Sequence, residues 1–206
     1  MPKVAYSEED RERIRIALVT TALSLMSKQG IQHTTVEQIY TAVGISRTFF
    51  YSFFPTKEDL IVETLYLQQP KILAFAQSLM DDPALSWRES VQQFIHACCY
   101  GEQNGIAVLT IEEQQLIFRR LSPESCQLFR EKQVRLFGCL LECFGIRPDS
   151  ARVSLFTNLC LSVMVLRRAI PESLPFFVPE AANETTAFQI EAIVTCLERF
   201  KQSDRP

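Results

Sequence analysis

The stretch "TTVEQIYTAVGISRTFFYSFFPTKEDL", Thr34–Leu60, decides the fold prediction because it holds two short helical patterns joined by a glycine turn. The first pattern has apolar residues at helical spacing, at Val36, Ile39, Tyr40 and Val43. Gly44 breaks this pattern, since glycine permits the positive φ of a tight turn. Ser46 is an N-cap candidate for the second helix. A helix, a tight turn and another helix in this order predict a helix-turn-helix.

Five of the six residues from Phe49 to Phe54 are aromatic. At about 100° per residue, a helical wheel places four of them, Phe49, Phe50, Phe53 and Phe54, on the side that faces the core. We expect Phe50 and Phe54 in the core and Phe49 and Phe53 at its boundary. The opposite side holds hydrogen-bond donors and no acid, at Arg47, Thr48, Tyr51 and Ser52. Such a side suits phosphate oxygens and base edges. The alternative interpretation is an ordinary short helix with a solvated polar side.

Helical patterns continue on both sides of this stretch. A capping box at Ser7 opens a first helix that Gly30 ends. Thr56 caps a fourth helix, which runs past Pro70 to about Met80. Further helices are predicted over Trp87–Tyr100, Ile106–Arg120, Leu121–Phe144, Ser150–Ile170 and Thr186–Gln202. The proline-containing stretch "PESLPFFVPEAANE" is predicted to be irregular. The sequence therefore predicts an all-α fold of about nine helices.

The predicted helices divide into two units. The first three predicted helices, within residues 1–55, include the helix-turn-helix, and the remaining helices lie within residues 56–206. Residues 1–60 carry equal numbers of Lys/Arg and Asp/Glu, so the net charge of −3 falls on the remainder. This balance is a weak indication of nucleic-acid binding, and the geometry of the helices carries the prediction instead.

Composition excludes several classes of protein. The chain has 206 residues and 47% hydrophobic content, enough to bury a sizeable core. It lacks a run of 18 apolar residues that would predict a membrane span, and its N-terminus lacks the apolar segment of a secretory signal. We expect a cytoplasmic protein with no membrane partner. Nucleophile-elbow, phosphate-loop and metalloprotease motifs are absent, so we do not expect an enzyme.

The seven cysteines are interpreted as small buried apolar residues. Their odd number and the absence of an export signal argue against a disulfide framework. A cysteine-based redox or metal sensor is the alternative, since Cys139 and Cys143 would share a helix face and Cys98 and Cys99 are adjacent. The chain has two histidines and no CxxC pair, so ligands for a metal are scarce. We therefore expect no metal and no cofactor.

The whole of Thr34–Leu60 resembles the DNA-binding signature of the tetracycline-repressor (TetR) family of bacterial transcription regulators. That signature has paired threonines, an isoleucine four residues on, a glycine and a serine at the turn, a Tyr-x-x-Phe run, and a lysine followed by leucine three residues later. Here these are Thr34, Thr35, Ile39, Gly44, Ser46, Tyr51, Phe54, Lys57 and Leu60. The resemblance covers about 45 residues when Ile14–Gly30 is included, and the rest of the chain agrees only in length, helicity and layout.

This resemblance implies an all-helical homodimer in which residues 1–55 form a helix-turn-helix DNA-binding domain and residues 56–206 an effector-binding and dimerisation domain. Its recognition helix, Ser46–Phe53, binds double-stranded DNA. It implies a ligand-responsive transcription regulator that binds a palindromic operator, with repression as the expected mode and a small, largely apolar effector. By analogy Thr35 touches phosphate, three residues of the helix face base edges, and Tyr51 and Lys57 grip the DNA backbone. The DNA-binding residues so implied are Thr34, Thr35, Ser46, Arg47, Thr48, Phe49, Tyr51 and Lys57.

Three aromatic residues depart from the family pattern. Tyr40 stands where alanine is usual. Phe53 stands where a histidine or tyrosine commonly contacts phosphate, and a phenylalanine ring cannot donate that hydrogen bond. Phe49 stands where a small residue is common, and we expect its ring to pack on a thymine methyl group.

The helix predicted at Ser150–Ile170 is apolar nearly all round, so it must be buried on several sides. We predict that it forms a dimer interface with the last helix, as a four-helix arrangement across the two protomers. The predicted interface residues are Phe156, Leu159, Val163, Leu166, Ile193 and Leu197. The alternative is that this helix is the centre of one large core.

The C-terminal helices are rich in aromatic residues with few charges among them, as expected for a pocket that binds an apolar ligand. The predicted effector contacts are Tyr66, Trp87, His96, Tyr100, Glu112 and Phe118. The helix Thr56–Met80, kinked at Pro70, is expected to link this pocket to the DNA-binding domain. Two alternatives remain: these aromatics fill the core, or the protein binds a lipid or small molecule without DNA activity.

Overall fold

The computed structural model describes residues 6–104, 106–170 and 177–204, and within these ranges the regular structure is entirely helical. Two 3-10 turns, at Gly101–Asn104 and Pro179–Ala181, join longer helices. The α-helices of these ranges are α1 (Glu8–Gln29), α2 (Val36–Val43), α3 (Arg47–Phe50), α4 (Lys57–Met80), α5 (Trp87–Cys99), α6 (Ile111–Arg120), α7 (Pro123–Cys143), α8 (Ser150–Ala169) and α9 (Ala182–Ser203). The all-α prediction with nine helices is confirmed for this part of the chain.

Short polar side chains determine where most of these helices begin. The hydroxyl of the residue before the helix accepts a hydrogen bond from a backbone N–H of the first turn, and the acid or amide three residues on bonds back to the cap. Such capping boxes open α1, α2, α4, α5 and α6, at Ser7, Thr35, Thr56, Ser86 and Thr110. The caps predicted at Ser7, Thr56 and Ser46 are confirmed.

Some predicted boundaries were wrong. The helix expected from Ile106 begins five residues later, at Ile111, because residues 106–110 are extended. The last helix begins at Ala182, four residues before the predicted start. The helix expected over Ser46–Phe53 is only Arg47–Phe50, continued by turns through Phe53. Part of the stretch predicted to be irregular, residues 171–176, lies outside the described residues.

Two hydrophobic clusters organise the described residues, and they meet along α4. The first joins α1, α2 and α3 to the start of α4, where Leu60, Ile61 and Leu65 are buried. The second joins α5, α7, α8 and α9 to the end of α4, at Ile72 and Ala76. Pro70 lies between these two parts of a helix that continues from Lys57 to Met80. One helix therefore packs in both cores.

An extended strap, residues 106–110, lies between α4 and α8. Ala107, Val108 and Leu109 are buried, so the strap's backbone needs hydrogen-bond partners. The side-chain amide of Gln68 in α4 supplies two: its Nε2 donates to the carbonyl of Ala107 at 3.0 Å, and its Oε1 accepts from the N–H of Ala107 at 3.0 Å. Arg168 in α8 donates to the carbonyl of Val108 at 2.7 Å. Side chains thus replace the neighbouring strand that an extended segment normally pairs with.

Within the described ranges, the helices are too short or too polar for any of them to cross a lipid bilayer.

Candidate nucleic-acid interface and ligand cavity

The turn between α2 and α3 is made by Gly44, whose φ of 77° lies in the left-handed region. A side chain there would be strained, so glycine fits this position best. The N–H of Ile45 donates to the carbonyl of Tyr40 at 3.0 Å. Ser46 then caps α3, with its Oγ accepting from the N–H of Phe49 at 3.2 Å. These local bonds fix the angle at which α3 leaves α2.

Aromatic burial fixes the rotation of α3. Phe50 and Phe54 are fully or almost fully buried in the first core, together with Ile39 of α2. Their burial turns the opposite side of the helix to solvent, where the exposed residues are Arg47, Thr48, Tyr51 and Ser52. The predicted donor side is therefore exposed as a set.

Phe49 and Phe53 lie at the boundary, each half-buried, as predicted. The ring of Phe49 is stacked on Tyr6 with a centroid distance of 4.6 Å, and it meets the ring of Phe53 edge-on at 5.0 Å. The guanidinium carbon of Arg11 lies 4.7 Å from the Phe53 centroid. Sequence reasoning missed Tyr6 and Arg11, because ring stacking between residues more than 40 positions apart leaves no periodic signal.

Thr35 and Thr34 have different roles. Thr35 is exposed at the start of α2, where its Oγ1 accepts from the N–H of Gln38 at 3.1 Å and donates to Oε1 of Gln38 at 3.3 Å. Thr34 is fully buried, and its Oγ1 donates to the carbonyl of Gly30 at 2.8 Å. The hydroxyl of Thr34, predicted to bind DNA, instead connects the end of α1 to the start of α2 in this structure.

Lys57 faces inward more than predicted. Its Nζ donates to the carbonyl of Ile31 at 2.9 Å, so it fastens the first turn of α4 to the loop after α1. Burial lowers the pKa of Lys57, while the nearby carboxylates of Glu113 and Glu58 act in the opposite direction. A phosphate contact by Lys57 remains a prediction, and the bond to Ile31 is the role that the structure describes.

The arginines of α1 and α3 differ in whether a carboxylate pairs with them. Arg13 is ion-paired with Asp10, and Arg15 lies 3.1 Å from Glu63. Arg47 and Arg11 have no carboxylate partner among the described residues. Their positive charge is therefore not neutralised within the described chain.

A cavity of about 390 Å³ lies between α4, α5, α7 and α8, with the strap and α6 along one side. This volume is at the lower end of the range for small-molecule pockets. Its deep wall is apolar and buried, at Phe94, Ile95, Phe137 and Leu140. Large apolar side chains are exposed among its lining residues, at Phe118, Val134 and Leu161. An apolar ligand would cover both sets.

The polar side chains of this cavity differ in how well they are satisfied. The side-chain amide of Gln68 is hydrogen-bonded to the backbone of the strap. The hydroxyl of Thr157 donates to the carbonyl of Val153 at 2.7 Å. The Nε2 of Gln69 is buried and has no hydrogen-bond partner among the described residues. Because an unsatisfied buried amide is costly, Gln69 is the lining residue that would gain most from a polar group on a ligand.

Of the predicted effector contacts, Phe118 lines this cavity and the other five lie outside its lining. Tyr66 packs on Phe129 with the Lys132 ammonium 3.7 Å from its ring centroid. Its burial also raises the pKa of Tyr66 to about 12. The residues outside the cavity are Tyr66, Trp87, His96, Tyr100 and Glu112.

Those remaining side chains have other partners. The indole of Trp87 donates to the carbonyl of Phe144 at 2.7 Å. His96 is exposed and stacked on Tyr100, whose hydroxyl is 3.0 Å from Oδ1 of Asn183. Glu112 is exposed on the first turn of α6.

The predicted dimer residues divide into two sets. Four are buried inside the protomer's own core, at Phe156, Val163, Ile193 and Leu197, where they have almost no exposed area to offer a second protomer. Leu159 and Leu166 are only partly buried. At helical spacing they share a side of α8 with exposed Leu155 and Ser162. On α9 the exposed side carries Phe188, Ala192 and Arg199.

The buried thiols are poorly suited to redox chemistry. Burial raises the pKa of Cys98 and of Cys99 to about 12, and it raises the pKa of Cys160 well above its usual value. The thiolate is the reactive form, so these three groups are held in the unreactive one. Among the described residues, no three His, Cys, Asp or Glu side chains are grouped to hold a metal ion.

A capped helix pair with an exposed donor side, joined through α4 to a helical domain with an apolar cavity, defines the class of helix-turn-helix regulators. The sequence profile described as bacterial regulatory proteins, tetR family, matches residues 18–64. The HTH-type transcriptional regulator EthR of Mycobacterium tuberculosis is 31% identical over 85 residues, which are 41% of this chain and 38% of EthR. Residues 18–64 are therefore similar to the DNA-binding segment of the TetR family, and the chain spans well under half of the length of that relative.

Solved structures share the fold over nearly the whole chain. A TetR-family transcriptional regulator from Pectobacterium atrosepticum aligns with a TM-score of 0.55 at 18% identity, covering 94% of this chain and 97% of its own. GusR of Salmonella enterica aligns with a TM-score of 0.51 at 18% identity, covering 91% and 96%. At this level of identity the similarity concerns the fold alone.

Proposed function

We propose that the protein is a dimeric transcription regulator that binds a palindromic DNA operator through α3 and releases it when a small, largely apolar molecule occupies the cavity. Repression is the expected mode, and the cytoplasm the expected location. The observation that carries the proposal is the orientation of α3: burial of Phe50 and Phe54 exposes Arg47, Thr48, Tyr51 and Ser52 together.

The exposed side of α3 fits DNA in chemistry and in size. Arg47 has no carboxylate partner in the described chain, and its guanidinium lies 5.9 Å from the ring centroid of Tyr51. Arginine pairs with guanine in the major groove through two parallel hydrogen bonds. Thr35 at the cap of α2 and Tyr51 after α3 are placed to donate to phosphates on either side. We assign base reading to Arg47 and Thr48, and backbone contact to Thr35 and Tyr51.

Dimerisation is assigned to the exposed sides of α8 and α9. Phe188 is 75% exposed, the highest value among the large apolar side chains of the described residues, and a second protomer that covered it would remove this apolar area from water. A two-fold dimer uses the same patch on both protomers, and it presents two copies of α3 to two half-sites of the operator.

The route from the cavity to the DNA-binding helices runs through α6. Gln114 and Phe118 of α6 line the cavity. At the end of α6, Arg120 donates to both carboxylate oxygens of Glu58, at 3.1 and 3.3 Å, and this carboxylate is almost fully buried in the first turn of α4. Glu113 of α6 lies close to Lys57, which holds Ile31. A ligand that moves α6 would therefore move the start of α4 and the loop after α1.

The experiment is selection of DNA from a random pool with the purified protein, followed by a thermal-shift screen of small molecules. We expect an enriched palindrome or near-palindrome, bound saturably. At least one apolar stabiliser should weaken that binding, since a typical coupling between two sites is about 1–3 kcal/mol. Absence of any enriched sequence would refute the regulator, and stabilisation only by metal ions or highly charged metabolites would refute the effector class.

A further inference from the structure

Arg11, in the first turns of α1, lies against the recognition helix although it is about 40 positions away in sequence. Its guanidinium carbon is 4.7 Å from the centroid of the Phe53 ring and 5.8 Å from that of Phe49. Its Nη2 donates to the carbonyl of Ser52 at 3.4 Å, a long hydrogen bond. Because Ser52 follows Tyr51 directly, these contacts place the Arg11 charge beside the exposed donor side of α3.

The rings under Arg11 form a platform of Tyr6, Phe49 and Phe53. Tyr6 is stacked on Phe49 with an interplanar angle of 24°, and Phe49 and Phe53 meet edge-on at 69°. Tyr6 is exposed, and the two phenylalanines are half-buried. With Phe49 covered by Tyr6 on one side and by Arg11 and Phe53 on others, a thymine contact would need this platform to open.

The neighbouring arginines of α1 are already neutralised. Arg13 pairs with Asp10 and Arg15 with Glu63, whereas Arg11 has no acidic partner in the described ranges. A guanidinium carries five N–H donors, and the bond to Ser52 uses one. A stacked guanidinium is already oriented, so little conformational freedom is lost when its edge binds an anion.

We propose that Arg11 binds a phosphodiester of the DNA backbone at the edge of the α3 contact, with Tyr6, Phe49 and Phe53 as positioning residues. Phe53 carries no hydrogen-bond donor, so the donor at this edge is the arginine on its ring. The inference rests on the proposed function, because it requires DNA against α3. It adds α1 to the nucleic-acid interface.

The test compares Arg11→Met with Arg13→Met, a matched loss of one guanidinium on the opposite side of the same helix turn. The probe is the duplex selected by the wild-type protein, with a scrambled duplex of equal length, titrated by fluorescence anisotropy at several salt concentrations. Arg11→Met should weaken binding about tenfold for each protomer bound, on both duplexes, since a hydrogen bond to a charged group contributes at least about 1.5 kcal/mol. The salt slope should fall by about 0.9 for each protomer bound.

Phosphate-ethylation interference identifies the contact directly. One phosphate in each half-site should lose its interference signal with Arg11→Met and keep it with Arg13→Met. Phe53→Leu should keep the salt slope, since the charge remains, and weaken binding about threefold through lost stacking. If Arg11→Met does not fold, Arg11→Lys carries the test, with the salt slope kept and the affinity reduced.

Two results would overturn the inference: an unchanged salt slope for Arg11→Met, or equal losses for Arg11→Met and Arg13→Met. Failure of the proposed function is a different result. In that case the wild-type protein selects no sequence, and Arg47→Met binds DNA as the wild type does. If Arg47→Met weakens selective binding and Arg11→Met does not, only the role of Arg11 is refuted.

Discussion

Replacing Phe188 by glutamate should separate the two protomers without unfolding either one. The ring is 75% exposed in the protomer, so the substitution removes little from the protomer's own core. Full burial of a phenylalanine contributes about 1.5–3 kcal/mol. Three quarters of that, counted once for each protomer of a two-fold dimer, is about 2–4 kcal/mol, or roughly 30- to 1,000-fold in the dimer dissociation constant.

Val163→Asp is the contrasting variant. Val163 is 2% exposed and lies inside the protomer's core, so this change buries a carboxylate without a partner. The cost is several kcal/mol, against about 5–15 kcal/mol for the stability of a typical domain. We therefore expect misfolded or aggregated protein instead of folded monomer.

Sedimentation velocity over a range of concentrations, with circular dichroism for helicity, distinguishes these outcomes. Leu116→Glu provides the control, because Leu116 is an exposed apolar residue of α6 and not of α8 or α9. A Phe188→Glu protein that remains dimeric with an unchanged dissociation constant would place the interface elsewhere.

Four other changes test separate parts of the structure. Arg47→Met should weaken the selected duplex by about 1–3 kcal/mol and relax preference at one base position, and repeated selection with the variant would show an unchanged motif if the assignment is wrong. Thr34→Val should lower the free energy of unfolding by about 1 kcal/mol, or Tm by about 2–4 °C, because the hydrogen bond to Gly30 is lost. DNA affinity below Tm should not change. A loss of affinity without a loss of stability would place Thr34 in the DNA interface. Gln69→Leu should raise Tm, because it removes an unsatisfied amide, and it should weaken effectors that carry a hydrogen-bonding group more than purely apolar ones, as differential scanning fluorimetry would measure. Cys98 and Cys99, with pKa values raised to about 12, should resist iodoacetamide at pH 8 in the folded protein, and peptide mass spectrometry showing rapid labelling would revive the thiol-sensor alternative.

Caps, turns and helix faces that depend on residues close in sequence could be predicted from the sequence. The caps at Ser7, Ser46 and Thr56 each need only a hydroxyl and the backbone N–H three residues further on. The turn after α2 needs only the positive φ that Gly44 permits. Phe50 and Phe54 were assigned correctly because helical period alone turns them away from the donor side. In each case the sequence within one or two helical turns contained the full physical cause.

Contacts between residues far apart in sequence could not be predicted from the sequence. An apolar residue facing its own core and one facing a second protomer have the same periodicity, so periodicity could not show that Val163 and Leu197 face their own core. The strap, residues 106–110, is held by Gln68, which is 39 residues away from Ala107 in sequence, so no local pattern indicates it. Thr34 was read as a signature residue, whereas its hydroxyl is buried by the packing of α1 on α2. Aromatic content located the helices around the cavity but not which rings line it.

Pro70 divides α4 into two cooperative units. Proline has no N–H to offer the carbonyl four residues before it, and here that gap lies between a segment packed in the first core and a segment packed in the second. Local opening of a helix spreads through consecutive hydrogen bonds. Segments that pack together tend to open together, so their amides exchange hydrogen at similar rates. Amide hydrogen exchange along α4 should therefore change rate across Pro70, with Leu60–Leu65 exchanging together with α1 and Leu73–Gln77 together with α5. Amide exchange would then give two different free energies of opening within one continuous helix, one for each domain that the helix joins.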